Sequence, residues 1–182
     1  MSDLLRGEGL TLVRGERLLF ERLELTLGAG EALHVKGVNG SGKSSLLRLA
    51  AGLLRPNAGR IHRSAAALCD DSLALDRELP LNRALNFWSG GAVGQAMEAF
   101  GLAALALVPV RLLSTGQAKR AALARVMASA APLWLLDEPL NGLDIDGRQR
   151  LARIIAAHRS AGGAILAASH SPLDGAWRTL DL

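Results

Sequence analysis

Alternation of apolar and polar residues marks two strands near the start of this 182-residue chain. Residues 10–27 alternate in part, and the polar stretch RGER at residues 14–17 interrupts them. Period-two alternation on both sides of a short polar turn is typical of an antiparallel hairpin. We therefore expect an N-terminal antiparallel β-subdomain.

Short apolar runs alternate with helical patterns over the rest of the chain. Strands alternating with helices favour an α/β fold with a mainly parallel sheet. We expect a single domain over residues 1–182, with an inserted helical subdomain at about residues 70–130 that is broken at Pro80, Gly90, Gly91 and Pro109. The other predicted elements are strands at 31–36, 133–136 and 164–168, a short strand near Ile61, helices at 44–54, 118–128 and 148–158, and an edge strand at 177–182.

Composition narrows the functional classes. No apolar run reaches the roughly 18 residues of a membrane span, and the first residues lack the apolar core of a secretory signal. Cys69 is the only cysteine, so an internal disulfide is excluded. The formal net charge is +4, but the arginines are scattered rather than clustered. Nucleic acid is therefore not an expected partner.

A glycine-rich stretch between a predicted strand and a predicted helix gives the first functional signal. Residues 37–44 read GVNGSGKS and fit G-x-x-x-x-G-K-[ST]. Backbone N–H groups of such a loop ring an anion, the lysine neutralises the β- and γ-phosphates, and the hydroxyl ligates Mg²⁺. A turn that binds nothing is the alternative, but both flanks favour a site for a nucleoside triphosphate. The candidate binding residues are Gly37, Val38, Asn39, Gly40, Ser41, Gly42, Lys43, Ser44 and Ser45.

Two carboxylates, Asp137 and Glu138, follow the apolar run at 133–136. Ligands of open α/β sheets bind at the carboxyl ends of the strands. Asp137 is the candidate to hold Mg²⁺ together with Ser44, and Glu138 is the candidate to polarise the attacking water. Acids after an apolar strand are common, so this assignment depends on the phosphate loop.

Three further motifs follow in order: LSTGQ at 113–117, LNGLD at 140–144, and Ser169-His170 after the last buried strand. With the phosphate loop and the acidic strand, they closely resemble the signature, D-loop and switch histidine of the ABC ATPases. The five motifs occur in the family's order and cover most of the chain. The resemblance implies a P-loop NTPase core of the ABC type.

The resemblance also implies a mechanism and partners. Two copies pack head to tail around two ATP molecules with Mg²⁺, so that the signature of each copy, Ser114, Thr115, Gly116 and Gln117, closes over the phosphate loop of the other. Asp144 belongs to the D-loop. Lys43, Glu138 and His170 form the catalytic set, with His170 orienting Glu138 and the water. Integral membrane subunits are the further partners, which implies a peripheral location on the cytoplasmic face of the inner membrane.

The chain departs from the family at three points. It contains no tyrosine, so we expect Arg14 to stack its guanidinium plane on the adenine in place of an aromatic ring. No glutamine occurs between Gly37 and Gln95, which leaves Asp71 or Ser72 to replace the family's loop glutamine. Thr115 stands where the signature has its first glycine.

A narrower resemblance rests on LNFW at 85–88, PVRLLSTGQ at 109–117 and WLLDEPLN at 134–141. These stretches resemble the haem-exporter ATP-binding subunits of bacterial cytochrome c maturation. The resemblance implies ATP hydrolysis that energises haem export or release to a haem chaperone. Haem is not expected to bind this subunit, because a C-x-x-C-H motif is absent.

Several alternatives stay open on the sequence alone. The chain could serve another ABC transporter, a soluble ABC machine of DNA repair or translation, or a nucleotide-gated regulatory module. The presence of both Glu138 and His170 argues against the regulatory module. Phe87 and Trp88 either line a groove for a membrane partner or pack inside the helical subdomain.

Overall fold

A computed structural model describes residues 3–88 and 92–182. Within these ranges the strands are β1 (Leu5–Arg14), β2 (Arg17–Leu27), β3 (Ala32–Lys36), β4 (Ala58–Arg63), β5 (Ala66–Cys69), β6 (Leu133–Asp137), β7 (Ala164–Ala168) and β8 (Arg178–Asp181). The α-helices are α1 (Lys43–Ala50), α2 (Leu81–Asn86), α3 (Val93–Ala99), α4 (Thr115–Ala128) and α5 (Ile145–Ser160).

A three-stranded antiparallel sheet in the order β2-β1-β4 confirms the N-terminal β-subdomain. The β1–β2 turn has positive φ at both central residues, Gly15 (54°) and Glu16 (64°). That combination matches the twist of a two-residue hairpin. β1 begins at Leu5, earlier than the alternation indicates, because register shifts along the hairpin interrupt the period of two.

The second sheet is five-stranded and parallel, in the order β5-β6-β7-β3-β8. It confirms the α/β class and the edge strand near the C-terminus. Its two faces are covered by different layers: Leu133 and Leu135 of β6 pack in the cluster with α1, whereas Trp134 and Leu136 pack in the cluster with α4 and α5. β5 was not predicted, because the four residues AALC are too short to show a period.

The first α-helix in the segment at about residues 70–130 is α2, which begins at Leu81. Pro80 directly precedes α2 and Pro109 directly precedes a 3-10 turn at Val110–Leu112, and the two prolines face each other in an isolated β-bridge. The predicted break at Gly90 and Gly91 lies outside the described residues. None of the helices in the described ranges combines the length and the apolarity needed to cross a bilayer.

Helix α1 ends at Ala50, four residues before the predicted end. Gly52 has φ of 78°, its N–H donates to the Leu49 carbonyl, and the Leu53 N–H donates to the Arg48 carbonyl. This pair of bonds is the Schellman motif, which favours glycine at the left-handed position. α5 is instead longer than predicted, since Asp144 caps it and brings its start forward to Ile145.

Candidate nucleotide-binding site

The phosphate loop connects the end of β3 to the start of α1, as the sequence predicts. Gly40 (φ 80°) and Gly42 (φ 111°) take left-handed backbone conformations that a side chain would strain. No side chain caps α1 at Gly42, and its first turn contains no acidic residue. The N–H groups of this helix terminus are therefore available to an anion, and the helix dipole favours one.

Lys43 lies inside this loop and is only 7% exposed. Its ammonium donates hydrogen bonds to the backbone oxygens of Gly37 (2.7 Å) and Val38 (3.0 Å). The Ser41 hydroxyl oxygen is buried and has no hydrogen-bond partner within the described part of the chain. A buried cation beside the free N–H groups of a helix N-terminus fits the oxygens of a phosphate.

Asp137 ends β6 directly behind the loop, 7% exposed, and its carboxylate accepts a hydrogen bond from the Ser44 hydroxyl. Burial raises the pKa of Asp137, and the charges of Asp71 and Glu138 raise it further against the lowering by Ser44 and Arg48. A divalent cation would offset this cost, since it stabilises the ionised carboxylate. Ser44 and Asp137 therefore fit the oxygen ligands that Mg²⁺ prefers.

Asp137→Asn is expected to raise the melting temperature in EDTA and to remove most of the stabilisation by MgATP. The carboxyl of Asp137 is harder to ionise in the folded chain than in the unfolded chain, where its pKa is about 3.8. The folded chain therefore loses stability as the pH rises from 3.8 through the raised pKa of the folded state. Asparagine cannot ionise but still accepts the Ser44 hydrogen bond. Thermal unfolding with EDTA and with MgATP measures both effects.

Asp146→Asn is the matched control for this prediction. Asp146 is exposed on α5, and a hydrogen bond from Arg150 lowers its pKa, so its neutralisation is expected not to stabilise the chain. A lower melting temperature for Asp137→Asn than for the unmutated chain in EDTA would contradict the electrostatic argument.

Glu138 takes φ of 44°, which costs a non-glycine residue about 1–2 kcal/mol. Its N–H donates to the Ala168 carbonyl (2.8 Å). The carboxylate accepts from the His170 N–H, at 3.2 Å for Oε1 and 3.4 Å for Oε2, and His170 Nε2 lies 3.6 Å from Oε1. The strained backbone and the segment after β7 thus hold the carboxylate in one place, as expected of a functional side chain.

His34 supports this arrangement, although no motif in the sequence assigns it a role. It lies on β3, 5% exposed, with Nε2 at 2.8 Å from the carbonyl oxygen of Ser169. Because a carbonyl oxygen only accepts, Nε2 carries the proton in this contact. His34 therefore anchors the residue that precedes His170. Only the pairing of β3 with β7 reveals the contact, since 135 residues separate the two positions.

A cavity of about 680 Å³ joins most of the predicted residues. Arg14 lies in its wall. Arg17, which the sequence analysis did not single out, places Nη1 3.3 Å from the position of a Cβ on Gly40. Gly37, Val38 and Ser41 do not line the cavity, and Val38 is 73% exposed. The lining residues are Arg14, Gly15, Leu19, Asn39, Gly40, Gly42, Lys43, Ser44, Ser45, Asp137, Glu138, Asn141 and His170.

The signature residues 114–117 lie outside this cavity. The Ser114 hydroxyl accepts from the Gln117 N–H (3.3 Å), and Gln117 Oε1 accepts from the Ser114 N–H (2.9 Å). This reciprocal pair is a capping box at the start of α4. Thr115 lines a separate groove together with Asp71, Lys119 and Gly142. A single chain therefore does not bring its signature to its own phosphate loop.

Asp144 and the segment at 70–72 have structural contacts of their own. Asp144 Oδ1 accepts from the Gly147 N–H (2.7 Å) and caps α5. Asp70 accepts two hydrogen bonds from Ser72, through its N–H (3.0 Å) and its hydroxyl (2.7 Å). Asp71 is close enough to raise the pKa of Asp137, whereas the Ser72 hydroxyl is held by Asp70. Of the two residues proposed to replace the loop glutamine, Asp71 is the better placed.

Comparison with known proteins agrees with this geometry. Residues 20–141 match the profile of the ABC transporter family. A solved structure described as the ATP-binding subunit of an ABC transporter superposes with a TM-score of 0.84 at 22% identity, over 92% of this chain and 79% of that one. The chain is an ATP-hydrolysing subunit of the ABC transporter class.

Closer relatives identify the group within that class. The cytochrome c biogenesis ATP-binding export protein CcmA of Sphingopyxis alaskensis is 56% identical over 95% of this chain and 93% of its own length. The protein of the same name from Novosphingobium aromaticivorans is 58% identical over 88% of this chain and 85% of its own length. The chain therefore belongs to the CcmA family of ABC ATP-binding subunits, as the narrower resemblance predicts.

Proposed function

We propose that two copies of this chain bind two MgATP between them, and that hydrolysis energises a membrane complex of cytochrome c biogenesis. The observation that carries the proposal is that the phosphate-loop site and the signature lie at different places on the surface of one chain. Lys43, Asp137, Glu138 and His170 meet at one cavity, whereas the signature helix begins outside it. The site is therefore half of a nucleotide site, which the signature of a second copy completes.

Each residue at the cavity has a distinct role in the proposed reaction. Lys43 and the loop N–H groups would hold the β- and γ-phosphates, and Ser44 and Asp137 would hold Mg²⁺. Bound Mg²⁺ neutralises charge on the phosphate oxygens. Glu138 accepts a proton from the attacking water while the bond between the γ-phosphorus and the ADP oxygen breaks. The His170 side chain would hydrogen-bond the γ-phosphate. Its backbone N–H donates to the Glu138 carboxylate and keeps it in position.

The Ser114 hydroxyl and the N–H groups of Thr115 and Gly116 would contact the γ-phosphate of the other copy. The start of α4 is suited to this because a helix N-terminus favours an anion. Gly142 lies next to it: a Cβ on Gly116 would be 3.1 Å from the Gly142 oxygen. Signature and D-loop therefore present one continuous surface to the partner, with Asp144 shaping the D-loop through its cap on α5.

Export of haem is the transport process that the resemblance favours. The relatives carry export and cytochrome c biogenesis in their names, and the stretches 85–88, 109–117 and 134–141 carry the same resemblance. We infer that this chain supplies ATP hydrolysis at the cytoplasmic face of the inner membrane. Integral membrane subunits would bind and move the haem.

The membrane partner is proposed to dock at an aromatic surface formed by Phe87 and Trp88. Phe87 is 81% exposed and Trp88 is 41% exposed, at the end of α2. This exposure argues against the alternative that both rings pack inside the helical subdomain. Exposed neighbouring aromatic rings are typical of protein interfaces, where they supply much of the binding energy.

Phe87→Ala is expected to abolish recovery of the chain with the membrane fraction while MgATP binding stays unchanged. The Phe87 ring buries little of its surface on folding because it is mostly exposed. Its removal is therefore expected to change the free energy of unfolding by less than about 0.5 kcal/mol. Leu53→Ala is the matched control: Leu53 is 65% exposed but lies in the turn after α1. Equal membrane recovery of both variants would contradict docking at Phe87, and mass spectrometry of the copurifying proteins tests the haem-export assignment.

A further inference from the structure

The aromatic surface at Phe87 and Trp88 rests on a buried arginine. The two rings meet edge to face, with centroids 5.2 Å apart and an interplanar angle of 82°. Arg125 of α4 lies against Trp88, with Cζ 4.9 Å from the ring centroid. This distance is within the range of a cation–π interaction. A partner that binds the exposed rings therefore contacts Trp88, whose ring lies against Arg125.

Arg125 is only 6% exposed and is incompletely paired. Its Nη2 donates to the carbonyl oxygen of Leu68 on β5, whereas its Nε has no hydrogen-bond partner within the described residues. The pKa of Arg125 is lowered overall, because the effect of burial exceeds the opposing effects of Cys69 and Asp70. A buried guanidinium that lacks a full set of acceptors is costly for stability alone. Its place in the fold therefore points to a role beyond packing.

Arg125 is connected to the nucleotide cavity on two sides. On α4, the Lys119 ammonium donates to the Asp137 carbonyl (3.4 Å), and the helix begins with the signature. On β5, Leu68 leads into Asp70, whose Oδ2 lies 3.7 Å from Nη2 of Arg48 on α1. Burial alone would raise the pKa of Asp70, but hydrogen bonds from Ser72 and the charges of Arg48 and Arg125 lower it overall.

We propose that Arg125 is a positioning residue that couples the surface at Phe87 and Trp88 to the phosphate loop. The contacts of Arg125 with the Trp88 ring and with the Leu68 carbonyl oxygen connect this surface to β5. Displacement of the Trp88 ring changes the hydrogen bond from Arg125 to Leu68 on β5, and with it the position of the following residues, of which Asp71 is close enough to act on Asp137. The inference rests on the proposed function, of which it supplies the link between partner and ATP.

Tryptophan emission provides a test that needs no partner. The chain has three tryptophans, so Trp134→Phe with Trp177→Phe leaves Trp88 as the only reporter. In a Glu138→Gln background, which holds ATP without hydrolysis, MgATP is expected to shift the emission of Trp88. Coupling is reciprocal, so a surface that affects the nucleotide site must also respond to nucleotide. Arg125→Met is expected to abolish the shift.

Arg120→Met is the matched control, because Arg120 lies on the same helix but donates to the Phe100 carbonyl (3.2 Å). It is expected to keep the emission shift. A shift that persists in Arg125→Met, or that is lost equally in Arg120→Met, would overturn the inference. Calorimetry of ATP binding and gel filtration distinguish failure of this inference from failure of the proposed function. Normal ATP binding and normal dimers without a shift in Trp88 emission would overturn this inference alone. Absence of ATP binding would overturn the proposed function.

Trp88→Leu carries the test if Arg125→Met does not fold. It removes the ring but leaves the buried guanidinium in place, and it is expected to weaken ATP binding about five-fold, the lower end of typical coupling. Phe87→Leu is its control, because the cation–π contact of Arg125 is with the Trp88 ring, and it is expected to leave the ATP affinity unchanged. Equal ATP affinity of the Trp88→Leu variant and the unmutated chain would overturn the coupling.

Discussion

Glu138→Gln is expected to lower ATP hydrolysis about 10²- to 10⁴-fold, the contribution typical of a general base, while MgATP still binds. Glutamine keeps the size of the side chain and can still accept from the His170 N–H, so the fold around His170 is retained. It cannot take the proton of the attacking water. The variant should therefore accumulate as an ATP-bound dimer, which gel filtration with MgATP detects alongside phosphate release.

Glu98→Gln makes the same chemical change on the exposed face of α3 and serves as the control. It is expected to hydrolyse ATP at the normal rate and to form no trapped dimer. A Glu138→Gln variant that keeps more than about a tenth of the rate would show that another group accepts the proton, since loss of a general base costs more than that.

Lys43→Ala is expected to weaken ATP binding by one to two orders of magnitude or more. A hydrogen bond to a charged group contributes about 1.5–3 kcal/mol, and each 1.4 kcal/mol is tenfold in affinity. Lys43 is buried in the loop, so its charge acts on the phosphates with little screening by water. Titration calorimetry with MgATP measures the loss directly.

Lys36→Ala is the control for this change. Lys36 is the exposed last residue of β3, immediately before the loop. Its removal alters the net charge equally but takes no donor from the phosphate site. Equal ATP affinity of the two variants would mean that Lys43 acts only through its bonds to Gly37 and Val38 and not on nucleotide.

The parts of the site that the sequence predicts are those made by short continuous stretches. The phosphate loop and the acids at the end of β6 each lie at the end of an apolar strand, which places them where open α/β sheets bind ligands. The histidine after β7 was assigned by the resemblance to the ABC ATPases. The antiparallel subdomain is predictable for a similar reason, because the turn at Gly15 lies between two alternating runs.

The missed features depend on contacts between distant segments. The bonds from His34 to Ser169 and from Arg125 to Leu68 join residues 135 and 57 positions apart, and neither residue type signals them. Arg17 approaches Gly40 only because the β1–β2 hairpin folds over the loop. The early end of α1 is a local effect that Gly52 could have indicated, since glycine favours the left-handed C-cap position.

The central claim is that each nucleotide site is shared between two copies. Thr115→Arg introduces a bulky side chain at an exposed signature position and leaves the Ser114–Gln117 capping box of its own chain intact. Alone it blocks both shared sites of a dimer, just as Lys43→Ala weakens ATP binding at both phosphate loops. In a mixed dimer, however, one site combines the intact loop of one copy with the intact signature of the other.

Mixing Lys43→Ala with Thr115→Arg and measuring phosphate release tests this claim most directly. We expect the combined preparations to hydrolyse ATP well above the sum of their low separate rates. A mixture that is no more active than that sum would contradict the shared site.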